Sequence, residues 1–199
     1  MRLSVLREAL LRPLQQVVGV VERRQTLPVL ANVLIRVSEG LASFTATDME
    51  VELSARMAVD GAEPGEITVP ARKLFDIVRA LPDGAKSDLK LGGNRVTLTS
   101  GRSRFTLATL PASEFPSSES GDVQERVELT QGALKSLLER SAFAMAVQDV
   151  RYYLNGLLLE LRGSGLRAVA TDGHRLALAQ TNGAEEGDVR RQVIVPRKG

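Results

Sequence analysis

The residues with the greatest capacity for chemistry lie in the second half of the chain. Thr171-Asp172-Gly173-His174-Arg175-Leu176 contains the single histidine among 199 residues. An imidazole two positions from a carboxylate could do acid–base work, with Asp172 orienting the ring. The same residues suit a turn equally well, because Asp accepts hydrogen bonds from backbone N–H groups just ahead of it. Upstream, Gln148-Asp149-Val150-Arg151-Tyr152-Tyr153 gathers an amide, a guanidinium and both tyrosines of the chain. Such groups contact sugar and phosphate without reading sequence, although a Tyr pair entering a strand also serves packing. No G-x-S-x-G elbow, P-loop or dinucleotide fingerprint occurs. Cysteine is absent, which removes disulfides, thiolate zinc sites and Cys nucleophiles and fits a reducing compartment. One histidine also removes multi-His metal sites. No catalytic residue, metal or other cofactor is expected.

Charge is segregated along the chain. The net charge is +2, and 21 of the 26 basic residues are Arg. Arg forks suit phosphate, and a GC-rich genome gives the same bias. The first 24 residues carry five Arg against two Glu, and residues 72 to 104 carry eight basic against three acidic residues. Residues 45 to 66 reverse this, with one Arg against six acids. If the basic helices share a face, it tolerates phosphate; ordinary solvated faces are the alternative. With 4% aromatics and no Trp, a stacking platform for single strands has little to work with. The N-terminus lacks a signal-peptide core and no run of about 18 apolar residues occurs. A soluble, cytoplasmic protein without a membrane partner is expected.

The elements that would position these residues repeat. Leu30-Ala31-Asn32-Val33-Leu34 resembles Leu154-Asn155-Gly156-Leu157-Leu158, Ala46-Thr47-Asp48 recurs as Ala170-Thr171-Asp172, and Thr68-Val69-Pro70 is echoed by Ile194-Val195-Pro196. The offsets of 124, 124 and 126 define a module of about 125 residues. Leu6, Leu10, Leu14, Val17 and Val21 predict an amphipathic helix interrupted by Pro13. Strands follow at Val33–Val37, Leu41–Thr47 and Val51–Val59. A second strand, helix and three-strand order runs from Ile67 to Leu107, with a helix through Leu74, Ile77, Val78 and Leu81. Thr130 is expected to cap a helix carrying Leu134, Leu137, Leu138 and Met145. Strands near Leu157–Leu161, Leu166–Ala170 and Leu176–Ala179 complete a third unit. The fold class is α+β, built from β-α-β-β-β half-modules. Residues 1–120 form a complete first domain and 126–199 a second domain, truncated by the period. The stretch Pro111 to Glu125 is the linker.

Thr26-Leu27-Pro28-Val29-Leu30, Val69-Pro70-Ala71-Arg72-Lys73, Ser100-Gly101-Arg102-Ser103-Arg104-Phe105, Gln148 to Gly156 and Ala170 to Leu176 together resemble the bacterial DNA polymerase III beta subunit family, the sliding clamps. The resemblance runs in order from Met1 to Gly199. It implies a DNA-clamp fold of three similar domains, the third absent from this chain, with two chains closed head to tail around duplex DNA. Helices would line the pore and antiparallel sheets the outside. The implied function is a non-catalytic processivity factor that encircles duplex DNA and tethers the replicative polymerase and clamp-loader subunits through short peptides.

Carried over motif by motif, Arg24, Arg72, Gln148, Tyr152 and Tyr153 fall where the family contacts DNA. Leu154, Thr171, Gly173, His174, Arg175 and Leu176 fall where it forms an apolar pocket for partner peptides. Lys73, Phe105 and Leu107 fall where its ring closes. Two alternatives stay open on the residues themselves: a β-rich module that holds nucleic acid by affinity without enclosing it, and a hydrolase centred on Asp172 and His174.

Overall fold

Leu3 and Val5 alternate with Arg2 and Ser4, and this short run forms β1 (Arg2–Leu6) before the first helix begins. The computed structural model describes residues 1–21, 27–116, 126–184 and 188–198. The chain divides into two units, residues 1–119 and 120–199.

In the first unit, α1 (Arg7–Val17) is followed by β2 (Asn32–Ser38), β3 (Leu41–Thr47) and β4 (Glu52–Ala58). The order then recurs as β5 (Gly65–Pro70), α2 (Ala71–Ala80), β6 (Lys86–Gly92), β7 (Arg95–Ser100) and β8 (Ser103–Ala108). The two β-α-β-β-β halves exchange their first strands. β1 joins the sheet β1-β6-β7-β8, and β5 joins β4-β3-β2-β5, all antiparallel. Each sheet therefore contains a strand from the other half, which ties the halves together.

Leu10, Leu14 and Val17 of α1 and Leu74 and Val78 of α2 are buried in one core with Leu3, Ile35, Phe44 and Leu98. Each such Leu or Phe contributes about 1.5–3 kcal/mol by leaving water. Arg7 closes the seam between the helices. Its guanidinium donates to the Val78 and Arg79 carbonyls at 3.3 and 2.9 Å and to Asp83 at 2.7 Å, so it caps the end of α2. Glu8 accepts the Gly84 backbone N–H at 2.8 Å, which holds its carboxyl below the ordinary value.

Two helix predictions need correction. The first helix starts at Arg7, not Leu6, because β1 claims Leu6 and leaves it 55% exposed. It also ends at Val17; Val18–Val20 tighten into a 3-10 turn, so Val21 lies beyond it. Pro13 is accommodated inside α1.

The second unit holds α3 (Gln131–Glu139), β9 (Gly156–Arg162), β10 (Gly165–Thr171), β11 (Leu176–Gln180) and β12 (Val189–Pro196). The sheet order is β11-β10-β9-β12. Thr130 caps α3 through its hydroxyl, which accepts the Ala133 N–H at 3.2 Å. Met145 is not on that helix. The Ser141 hydroxyl donates to the Leu137 carbonyl at 2.8 Å, and the chain leaves α3 into a 3-10 turn at Ala142–Ala144. The core beneath α3 is rich in alanine: Ala144, Ala168, Ala170, Ala177 and Ala179 surround Leu137 and Leu157.

The register reproduces the sequence repeat. Pro70 faces Asn32 and Thr68 faces Leu34 in the first unit; Pro196 faces Gly156 and Ile194 faces Leu158 in the second. The segment after β8 is more than a linker at its start. Residues 109–116 lie against the outer face of β2 and β5, with Phe115 buried beside Val29 and Leu34. Thr68, itself fully buried, holds this strap: its hydroxyl donates to the Leu110 carbonyl at 2.8 Å and accepts from Leu110 N–H and Asn32 Nδ2. The rest of the expected linker, 117–125, lies outside the described residues.

Candidate DNA and partner interface

The turn Thr171–Arg175 joins β10 to β11 and is fixed by its own side chains. Asp172 Oδ1 accepts the backbone N–H groups of His174 and Arg175 at 2.9 and 3.0 Å, and Oδ2 accepts Arg175 Nε at 3.0 Å. These donors, the backbone N–H groups foremost, lower the Asp172 pKa. Thr171 Oγ1 donates to the Arg175 carbonyl at 2.7 Å and accepts Gly173 N–H at 3.1 Å. The carboxylate that a His174 dyad would need is thus committed to closing the turn, which removes the physical basis for the hydrolase reading.

The first unit builds the same turn 124 residues earlier. Asp48 Oδ1 accepts Glu50 and Val51 N–H at 3.0 and 2.9 Å, and Thr47 Oγ1 bonds Met49 N–H and the Val51 carbonyl. Gly173 has φ 89°, and its counterpart Met49 adopts φ 79°, a left-handed conformation unusual for a side chain. The chemistry beside the two turns differs. Leu176 corresponds to Glu52 and Leu178 to Ser54, so the second turn carries an apolar flank and the first a polar one.

That flank extends across the sheet. Ile194 faces Leu158, Leu158 faces Val169, and Val169 faces Leu178, placing one apolar row across four strands. Ile194 and Leu178 are 46% and 49% exposed and Leu176 is 66% exposed. Sequence reasoning singled out only Leu176 here. The signal was present in Leu157-Leu158-Leu159, where a strand with one wet face should alternate instead. Phe143 was also missed; it is 59% exposed, and Arg175 lies over its ring at 5.7 Å.

Next to this turn is the 148–155 segment. Asn155 grips it from both sides: its side-chain oxygen accepts Asp149 N–H and its amide donates to the Asp149 carbonyl, each at 2.9 Å. Gln148 takes φ 56°. Tyr152 and Tyr153 meet edge to face with centroids 5.9 Å apart and are 83% and 50% exposed. Arg151 pairs with Asp149 and holds that carboxyl down to about 2. Leu154 is half-buried and its carbonyl accepts Ala146 N–H. The second unit therefore brings Gln148, Tyr152, Tyr153, Leu154 and residues 171–176 onto neighbouring segments.

The remaining expected residues lie in the first unit or beyond description. Arg72 stands at the start of α2, exposed, with its guanidinium donating to the Val21 carbonyl. Arg24 lies outside the described residues. Lys73 is exposed on α2, and Phe105 and Leu107 lie on the edge strand β8, the latter buried to 8% exposure. Among the described residues no cluster of His, Asp and Glu could hold a metal ion, and no helix is long and apolar enough to cross a membrane.

Comparison with known proteins agrees along the entire chain. Residues 1–119 match the family model for the DNA polymerase III beta subunit, N-terminal domain, and residues 128–199 the model for its central domain. A Pseudomonas putida protein named Beta sliding clamp is 57% identical over 200 residues, covering all of this chain, and the Escherichia coli K12 Beta sliding clamp is 52% identical over 202. The chain spans about half, 54%, of the length of these curated relatives. The crystal structure of the DNA polymerase III subunit beta from Pseudomonas aeruginosa superposes with TM-score 0.93 at 54% identity, covering the whole chain and 54% of that protein. The Caulobacter crescentus pol III beta structure gives 0.91 at 43% identity, covering the whole chain and 55% of that protein. The chain belongs to the DNA polymerase III beta subunit family.

Proposed function

We propose that this chain forms the N-terminal portion of a sliding clamp, a non-catalytic processivity factor that encircles duplex DNA and tethers the replicative polymerase. The observation that carries the reading is the doubled β-α-β-β-β first unit followed by the related α3 to β12 unit, a chain that superposes over its whole length on a DNA polymerase III subunit beta at TM-score 0.93. Residues 1–120 act as a complete first clamp domain and 126–199 as part of the second, with a third domain needed for the ring. Two full-length chains close head to tail through the edge strand β8, using Lys73, Phe105 and Leu107. In the bacterial cytoplasm such a ring needs no cofactor.

Arg24, Arg72, Gln148, Tyr152 and Tyr153 supply sequence-blind contacts to sugar and phosphate, the contact class that positions without specifying bases. The exposed tyrosines and amide suit a surface that must slide. Leu154, Thr171, Gly173, His174, Arg175 and Leu176 form the wall of an apolar pocket for peptides from polymerase and clamp-loader subunits.

Primer extension tests the function. On a long primed template with limiting polymerase, the full-length protein with its clamp loader should lengthen the products made per binding event. Product lengths independent of the protein would contradict the reading.

A further inference from the structure

The solvent face of the sheet β1-β6-β7-β8 carries five exposed cations, Arg2, Lys86, Lys90, Arg95 and Arg104, against one acid, Asp88. The strand register gathers them. Arg2 faces Lys90, Lys90 faces Thr97 and Thr97 faces Thr106; in the next row Ser4 faces Asp88, Asp88 faces Thr99 and Thr99 faces Arg104. Lys86 and Arg95 lie an even number of residues along the same strands and so share this side. The alternate residues, Leu3, Leu89, Val96 and Leu98 among them, point into the core. Among the described residues none of the five cations pairs with a carboxylate. Arg2 and Lys90 stand directly opposite each other, where like charges destabilise a sheet. The other sheet of this unit does the reverse: Arg36 faces Glu66 and donates to it at 3.0 Å.

We propose that this face is a docking surface for the phosphate backbone of duplex DNA. It is separate from the contacts proposed above for Arg24, Arg72, Gln148, Tyr152 and Tyr153, none of which belongs to these four strands, and it does not depend on ring closure. Charge sets the class of partner, because a polyanion relieves the repulsion between Arg2 and Lys90 and releases its own counterions. Composition separates nucleic acid from protein. Protein interfaces are anchored by aromatic and apolar side chains and are depleted in Lys, whereas interfaces with DNA are polar and positively charged. Of the residues on these strands that point to solvent, none is aromatic, and Leu6 at one corner is the single large apolar side chain. Thr97, Thr99 and Thr106 add hydroxyls that donate to phosphate oxygens. Without an aromatic ring the bases of a single strand have nothing to stack on, which favours duplex. Strands about 4.8 Å apart, rising about 3.4 Å per residue, give a face about 14 Å wide and 20 Å long. Over that length a duplex presents about one charge every 1.7 Å, more than enough for five cations.

The test uses the full-length protein and a short linear duplex at low salt. A photoreactive benzoylphenylalanine placed at Thr99, exposed within the face, should crosslink to the duplex about tenfold more than the same group at Ser54, exposed on the other sheet. Lys86→Gln, Lys90→Gln and Arg95→Gln together should lower the Thr99 crosslink about tenfold. In fluorescence anisotropy the same variant should reduce the slope of log affinity against log salt by about 3, equally for duplexes of different sequence. All three side chains are exposed, so its circular dichroism should match the native protein. Lys90→Gln alone, which also removes the repulsion with Arg2, should reduce the slope by about 1. Polyglutamate, the probe for an acidic protein partner, should displace the duplex poorly at equal charge concentration. Crosslinking at Thr99 no stronger than at Ser54, or an unchanged slope in the triple variant, would overturn the proposal. Complete displacement by polyglutamate would overturn it too, by giving the face to an acidic protein.

Discussion

Thr68→Val isolates how the first unit holds the strap that leaves β8. Valine keeps the volume of threonine and deletes a fully buried hydroxyl that serves three partners. Asn32, 4% exposed, then loses the 2.9 Å acceptor of its amide, and the Leu110 N–H and carbonyl lose theirs. A buried polar group left unpaired costs about 1–3 kcal/mol, so the substitution should destabilise the first unit by about 2–4 kcal/mol. For a unit of this size that lowers its melting temperature by roughly 10 °C. Thr68→Ser keeps the hydroxyl and should cost about 1 kcal/mol for the lost methyl. Far-UV circular dichroism during urea unfolding reads the stability, and amide hydrogen exchange across 109–116 reads the strap. A Thr68→Val loss under about 0.5 kcal/mol with unchanged exchange at Leu110 would refute the argument, because that is the range of an inconsequential surface change.

Further expectations concern the duplicated turn and its neighbour. Met49→Gly should stabilise the first unit by up to about 1 kcal/mol, since a non-glycine residue in the left-handed region costs about 1–2 kcal/mol and glycine returns part of that as chain entropy; denaturant unfolding decides it. His174→Ala should leave stability within about 0.5 kcal/mol, because the residue is exposed, yet weaken binding of a polymerase or clamp-loader peptide by the full-length protein. The Asp149 carboxyl, held at about 2 by Arg151, should stay ionised at mildly acidic pH. Its folded pKa is depressed, so its contribution is fully present above the ordinary value near 3.8 and disappears as the pH falls through 2. Carbon-detected NMR titration showing protonation near pH 4 would contradict the grip on Arg151.

Much of this was legible in the residues. Alternation and turn chemistry located the three-strand runs, and the recurrence of Ala-Thr-Asp and of the paired proline strands exposed the module. The register of Pro70 on Asn32 and Pro196 on Gly156 follows directly from that repeat. What escaped were features set by distant partners. β1 is short, and Leu3 and Leu6 fit the helical spacing of Leu10 and Leu14; pairing with β6, some 85 residues away, decides the matter. The strap hides because Pro111 to Pro116 has linker composition, while Thr68 and Leu34, which bind it, lie far upstream. At the site, Asp172 and His174 were legible as a turn or a dyad, and only the direction of the carboxylate separates the two. The apolar row ending at Ile194 and Leu178 depends on which strands become neighbours, which no local pattern states.

Retention on DNA before and after a single cut tests the central claim most directly. The full-length protein is loaded by its clamp loader onto a nicked circular duplex, separated from free protein, and the circle is then linearised with one restriction enzyme. Encirclement predicts stable retention on the circle and rapid loss after the cut, because the contacts proposed for Arg72, Gln148 and the two tyrosines would guide the DNA without fixing it. Equal retention on circle and linear DNA would contradict the ring and make those contacts a binding site in their own right.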